Sequence, residues 1–220
     1  MGTNGDDNPL VLAYLTLRRV VGALGVLLPP ILFFGALILS STGLQESISH
    51  YYGTVMRRVF VGVLFAIGVF LYSYIGYEPS DDKKRFEPSD NIAGNLACFF
   101  ALGVALFPTT SDIAWVTIVH SVSAAGLFLA LSYFSLFLFT KTKKGVDPTP
   151  EKKTRNRWYR ALGVVMLACI VLIPIYNTLL DETSIAAIKP VFWLESLALW
   201  AFGWSWAIKG DTLFKDPLHR

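Results

Sequence analysis

Residues 113–140 read IAWVTIVHSVSAAGLFLALSYFSLFLFT, 28 consecutive positions without an Asp, Glu, Lys or Arg. A hydrocarbon core ~30 Å thick is crossed by about 20 helical residues at ~1.5 Å each, so this run exceeds what a bilayer needs and should tilt or project beyond it. Further apolar runs lie on either side, at roughly 20–40, 59–77, 92–109, 160–180 and 188–208, and the charges gather between them. Hydrophobic residues make up 54% of the 220 positions and charged ones 16%, with a mean hydropathy of +0.51. Soluble domains carry about a quarter charged residues. The pattern predicts an all-α polytopic membrane protein, a bundle of six transmembrane helices.

Lys and Arg set the expected orientation. Sixteen of the nineteen fall on one side of this six-span reading: Arg18 and Arg19, Lys83 to Arg85, eight between Lys141 and Arg160, and Lys209, Lys215 and Arg220. Arg57, Arg58 and Lys189 remain on the other side. Positive charge is retained in the cytoplasm, so the expectation is a multi-pass protein of the plasma (inner) membrane with both termini inside. The corresponding divisions are a cytoplasmic N-terminal segment 1–19, partly disordered, a transmembrane domain 20–208 and a cytoplasmic tail 209–220. The first apolar run is too long and starts too late for a signal peptide. Asp6 stands where a myristoylation signal needs Ser or Thr, and the C-terminal Pro-Leu-His-Arg is no prenylation site. The net charge of +3 is then an insertion signal and not a nucleic-acid surface.

Local features carry further expectations. Residues 10–19 suit a short amphipathic helix in the interface. Pro29-Pro30 and Pro174 should kink or break their helices, and the prolines of the basic stretch 141–160 exclude helix there. Glu-Pro-Ser-Asp occurs twice, at 78–81 and 87–90, and Ser89, Asp90 or Asn91 can cap the third span. Gly94, Ala97, Ala101 and Ala105 form a small-residue stripe for close helix approach, with Ser121, Ala124 and Ala125 as the facing surface. Asn95, Tyr72 and Ser73 should bond neighbouring helices. Tyr74, Tyr77, Trp115, Trp158, Tyr159, Trp193, Trp204 and Trp206 read as interfacial anchors. Cys98 and Cys169, inside spans, read as small packing residues.

Ionisable groups inside spans are costly unless paired or wet. His120 and Glu195 each come about seven residues after their spans begin at the external side, hence at one depth ~10 Å below it; Asn177 is slightly shallower. The loop QESISHYYGTVMRR, residues 45–58, belongs to the same side and is too rich in chemistry for a linker. It suits a re-entrant lid, tolerable only where packed on protein or water. The candidate catalytic residues are His120, Glu195 and His50, with Glu195 holding the His120 tautomer. The candidate ligand-binding residues are Glu46, Ser47, Ser49, Tyr51, Tyr52, Arg57, Arg58 and Asn177, an arginine meeting a phosphate. The plainer reading is a buried polar contact that only locks the bundle. No His-x-x-x-His spacing occurs, which argues against a metal site, and the sequence names no cofactor. Glu195→Leu is compatible with folding on this reading, since an apolar replacement of a buried charge need not destabilise.

Ser47-Ile48-Ser49 followed by aromatics, Arg57-Arg58-Val59-Phe60 opening the second span, Gly94-Asn95 leading to Ala105-Leu106-Phe107-Pro108, and His120 followed by Leu127-Phe128-Leu129 form an ordered set. Over residues 40–140 this set resembles the DRAM/Frag/Sfk-type six-helix membrane proteins and their uncharacterised bacterial relatives. The resemblance implies a six-helix bundle and, for some relatives, lipid remodelling or organisation. It supplies no catalytic mechanism and does not reach Glu195. Seven-helix metal-dependent membrane hydrolases with three histidines fit worse. Three functions stay open: an external pocket that binds or processes a lipid headgroup, a small transporter or channel, and a ligand-free scaffold or regulator. Membrane lipid is the expected partner, a homo-oligomer is left open, and nucleic acid is not expected.

Overall fold

The computed structural model describes residues 9–74, 90–142, 147–179 and 184–213. The expectations for residues 1–8, the tetrapeptide repeat up to Ser89, Tyr77, Lys83 to Arg85, Lys143, Lys144, Lys215 and Arg220 lie outside them. Six long helices occur among the described residues: α1 (Pro9–Ser40), α2 (Arg57–Tyr72), α3 (Asp90–Leu106), α4 (Ala114–Tyr133), α5 (Pro150–Leu179) and α6 (Pro190–Lys209). A π-helical turn, Phe134–Leu138, extends α4, and short 3-10 turns occupy Ser49–Gly53 and Ser184–Ile188. Among the described residues, four helices are long and apolar enough to cross a membrane: Leu12–Ser40, Ala114–Leu138, Pro150–Leu179 and Pro190–Lys209. The other two, α2 and α3, have 16 and 17 residues.

Polarity is arranged as a lipid solvent demands. Ile38, Phe99, Ile118, Val122, Val164 and Val171 are each more than half exposed on the helix surfaces. The interior instead holds alanines together with His120, Ser123, Ser132, Ser135, Ser196 and Ser205. Water would penalise so large an apolar surface, whereas lipid tails do not, and small residues inside permit close helix packing.

Sequential helices pack side by side and α1 returns to α6, closing the bundle. The closure is a backbone contact. A Cβ on Gly22 would lie 2.8 Å from the Gly203 carbonyl oxygen, and one on Gly203 would lie 2.6 Å from that of Gly22. One end of this seam is capped from α1: Arg19 Nε donates to the Gly210 carbonyl at 2.8 Å and Arg18 Nη1 to that of Lys209 at 3.4 Å. These carbonyls belong to the end of α6, which has no further turn to satisfy them.

Several local expectations are corrected. Residues 10–19 are not a separate interfacial helix but the first turns of α1. The Pro29-Pro30 pair does not break α1. Pro30 lacks the N–H that would engage the Val26 carbonyl, and the Trp200 indole N–H takes its place at 3.1 Å. Nor does the basic stretch exclude helix. Pro150 begins α5 at the one position where proline fits best, behind a Thr149 hydroxyl that accepts the Lys152 N–H at 3.2 Å. Asp90, in the first turn of α3, is engaged by Lys141 at 2.7 Å.

The small-residue stripe of α3 is buried, but it meets α2: a Cβ on Gly68 would stand 3.5 Å from that of Ala101, and Gly94 lies against the Leu71 carbonyl. The α4 side uses Gly103 against Ser123 and Gly126 against Phe100, leaving Ser121, Ala124 and Ala125 for another purpose. Asn95 and Tyr72 are exposed, and Ser73 bonds the Val69 carbonyl of its own helix. Tyr74, Tyr159 and Trp206 are not interfacial anchors. They are buried with Phe134 and Phe139 in one aromatic cluster, with centroids 5.2 Å apart for Tyr74–Trp206 and 5.4 Å for Phe139–Tyr159. Both cysteines are free thiols.

Gly22→Val should lower the unfolding midpoint in detergent, because overpacking costs about 1–3 kcal/mol. A Cβ added at Gly62 would meet nothing within 4 Å, so Gly62→Ala should be neutral or raise the midpoint slightly, by up to ~1 kcal/mol. Equal midpoints for the two variants would show that α1 and α6 do not meet at Gly22.

Candidate functional site

At the end of the bundle opposite that aromatic cluster, a cavity of about 1080 Å³ opens between α4, α5 and α6 beneath the 41–56 connection. His120 reaches it from the second turn of α4 and Glu195 from the second turn of α6, where the matched depth of the two positions brings them together. Asn177 comes from the last turn of α5, and Glu46, Ser47 and His50 from the connection. Six residues singled out from sequence therefore share one space. Its deeper wall is apolar, formed by Ala124, Ala125 and Phe128 of α4 facing Ile170, Ile173 and Pro174 of α5.

The remaining candidates lie elsewhere. Ser49 and Tyr51 are buried behind the cavity wall, Tyr51 with its ring 6.2 Å from that of Phe192. Tyr52 lies under the Arg57 guanidinium, 4.6 Å from its ring centroid, and its carbonyl accepts from Arg57 Nε at 2.6 Å. Arg57 and Arg58 are exposed and do not line the cavity. The expectation that an arginine meets the ligand is corrected: α2 begins with both guanidinium groups on the outside of the turn.

Lys189 is the cation that lines the space, and its ammonium pairs with Glu46 at the rim. Sequence reasoning passed over it, although its place beside Pro190, at the start of the helix that carries Glu195, was the available signal. Thr109 and Ser121 also line the wall and were not foreseen.

Glu195 does not hold His120. Its Oε2 accepts the Ile48 N–H at 2.7 Å, and the Ser49 N–H and Ser47 hydroxyl bond the same carboxylate. One side chain of α6 thus satisfies two successive backbone donors of the connection and fixes it across the cavity mouth. Ser47 Oγ also lies 2.8 Å from His50 Nδ1. The same oxygen accepts the His50 backbone N–H at 3.3 Å. Burial lowers the His50 imidazole from its ordinary 6.5, opposed by Glu46 and reinforced by the Lys189 ammonium.

His120 has a separate anchor. Its Nδ1 lies 2.6 Å from the Phe107 carbonyl oxygen, which can only accept, so the imidazole donates to the carbonyl end of α3. The two histidines are held on different elements by different partners. Among the described residues, no three His, Cys, Asp or Glu side chains are grouped to hold a metal ion. The arrangement offers a carboxylate bonded to the connection, two imidazoles, an ion pair and an apolar recess within a single cavity. No family model, curated protein or solved structure matches the chain.

The bonding of Glu195 revises the consequence of replacing it. Glu195→Leu should strip the acceptor from Ile48 and Ser49, at about 1–3 kcal/mol for each buried donor, and hydrogen exchange should accelerate over residues 46–50 while α1 and α6 stay protected. Unchanged exchange would mean that the connection is held by something else.

The His50 contribution has a defined pH sign. A lowered folded-state value makes its stabilisation complete above about 6.5 and lost as pH falls through that lowered value. Unfolding midpoints measured from neutral to acidic pH should show this loss in the wild type and a shallower one in His50→Gln.

Proposed function

We propose that the chain is a six-span protein of the plasma membrane, with both termini cytoplasmic, whose external cavity binds a lipid headgroup together with the start of its acyl chain. The observation that carries this reading is the division of one cavity into a polar mouth and an apolar recess. Glu46, Ser47, His50, Lys189 and Glu195 gather at the mouth, and Ala124, Ala125, Phe128, Ile170 and Ile173 line the recess. A soluble polar metabolite has no use for the recess, and a purely apolar ligand none for the mouth. The Lys189 ammonium and the His50 imidazole take the part that sequence reasoning gave to the arginines. The same polar groups equip the site for binding whether or not chemistry follows. The resemblance to DRAM/Frag/Sfk-type proteins points the same way, as a proposal of kinship.

A channel reading is weakened by the opposite end of the bundle. Tyr74, Phe134, Phe139, Tyr159 and Trp206 are all buried there against one another. A path from the cavity would have to pass this aromatic plug, which offers an ion no row of polar groups.

Native mass spectrometry of protein purified in mild detergent should reveal a bound amphiphile. Ala125→Trp, which fills the recess without touching the mouth, should reduce its occupancy severalfold with little change in the unfolding midpoint. Wild-type protein free of any lipid adduct, or full occupancy in Ala125→Trp, would overturn the reading.

Orientation is checked separately. A reporter inserted at 43–45 should be external, and one within 145–150 or fused after Arg220 cytoplasmic; a cytoplasmic signal from 43–45 would invert the scheme.

A further inference from the structure

At the end of the bundle opposite the cavity, cations from three helices gather around Lys209. Lys209, the last residue of α6, places its ammonium 5.3 Å from the ring centroid. Lys152, from the first turn of α5, donates to the Phe139 carbonyl at 2.9 Å and lies 6.0 Å from the Tyr159 ring. Arg18 of α1 donates to the Lys209 carbonyl and stacks 4.1 Å above Tyr14. The charges acting on the Lys209 ammonium are those of Arg18, Lys152 and Arg155, against one carboxylate, Asp90.

Retention of positive charge in the cytoplasm explains why these residues lie at this end. It does not explain why they are packed together, since three separate exposed lysines would serve insertion equally well. Convergence of like charges in partly buried surroundings is unfavourable unless something neutralises it. Of the described carboxylates at this end, Asp90 is engaged by Lys141 and Asp211 by Arg155. Among the described residues, no carboxylate pairs with Arg18, Lys152 or Lys209. A second observation points to a missing partner: Arg18 Nε is buried and has no hydrogen-bond acceptor. A guanidinium with an unused donor beside two ammonium groups is a constellation suited to a phosphate, which accepts through several oxygens at once.

We propose that Arg18, Lys152 and Lys209 form a binding site for a phosphate group, supplied by an anionic lipid headgroup of the cytoplasmic leaflet or by a free phosphate. Nothing in this proposal depends on the cavity at the other end. The aromatic cluster beneath gives the site a rigid, water-poor floor, where charge-assisted hydrogen bonds are stronger than at an open surface. Lipid is the source that the membrane setting favours, because basic pockets between helices on this face meet the headgroup layer directly.

The test titrates full-length protein in neutral detergent with three probes: dihexanoyl phosphatidate, inorganic phosphate and dihexanoyl phosphatidylcholine, reading the shift in unfolding midpoint. Phosphatidate should raise the midpoint saturably and phosphatidylcholine should not. A matching response to inorganic phosphate would assign the free anion as sufficient, and its absence would assign the lipid. Lys209→Met, which keeps side-chain volume and leaves the bond to its carbonyl in place, and Lys152→Met, which also gives up the bond to the Phe139 carbonyl, should each weaken the apparent affinity about tenfold, as expected for losing one charge-assisted hydrogen bond. Arg18→Gln should do the same; the two methionine variants carry the test if this one folds poorly. Lys153→Gln, at an exposed neighbouring position, should respond as the wild type does. No saturable response to either phosphate-bearing probe, or equal loss in Lys153→Gln and Lys209→Met, would overturn the proposal.

Discussion

Where water is scarce, every backbone N–H and C=O left over at a helix end or a proline must find a partner inside the chain, and in this bundle other helices supply it. Arg18 and Arg19 of α1 take the last carbonyls of α6. His120 of α4 takes the Phe107 carbonyl just beyond α3. Trp200 of α6 takes the Val26 carbonyl that Pro30 cannot engage. Glu195 of α6 takes the Ile48 and Ser49 donors of the 41–56 connection. All but the His120 bond, which joins consecutive helices, connect elements distant in sequence, so satisfying the backbone and assembling the bundle are one event.

Those obligations also shape the cavity. Glu195 faces inward because the connection requires its carboxylate, and in holding the connection it draws Ser47 and His50 to the mouth. His120 faces inward because α3 ends beside it. Neither side chain needs a ligand to account for its direction, and this is why the plain reading of a polar lock is partly right. What the lock does not require is the space of about 1080 Å³ beside it, or the apolar wall of Ala124, Ala125, Phe128, Ile170 and Ile173. Small residues on α4 ordinarily let a neighbouring helix approach; here they enlarge a recess against α5.

The two ends of the molecule treat charge differently. At the cavity, acids and bases are matched, with Glu46 against Lys189 and Glu195 against backbone donors. At the other end, the like charges of Arg18, Lys152 and Lys209 converge over aromatic rings and the described carboxylates are committed elsewhere. Between them lies a plug of five aromatic side chains that separates the two regions. The cavity and the basic cluster thus lie at opposite ends of the bundle.

Much of this was legible in the residues. The all-α class, the helices long enough to cross a membrane, and the placing of His120 and Glu195 at one level with Asn177 slightly shallower follow from run length and the rise of ~1.5 Å per residue, which are local properties. The buried stripe of Gly94, Ala97, Ala101 and Ala105 was also readable, because small residues at helical spacing mark a close approach in any partner's company. Partner identity was not readable. The stripe meets α2 and not α4, the seam closes at Gly22 and Gly203, Tyr159 and Trp206 turn inward as a core, and the 45–58 loop contributes His50 and Ser47 to the cavity but keeps Arg57 and Arg58 outside. In each case several surfaces of similar chemistry were available, and the choice depended on which helix end or carbonyl elsewhere lacked a partner. Local spacing fixes what a residue can offer; only the assembled bundle determines which unpaired group it answers.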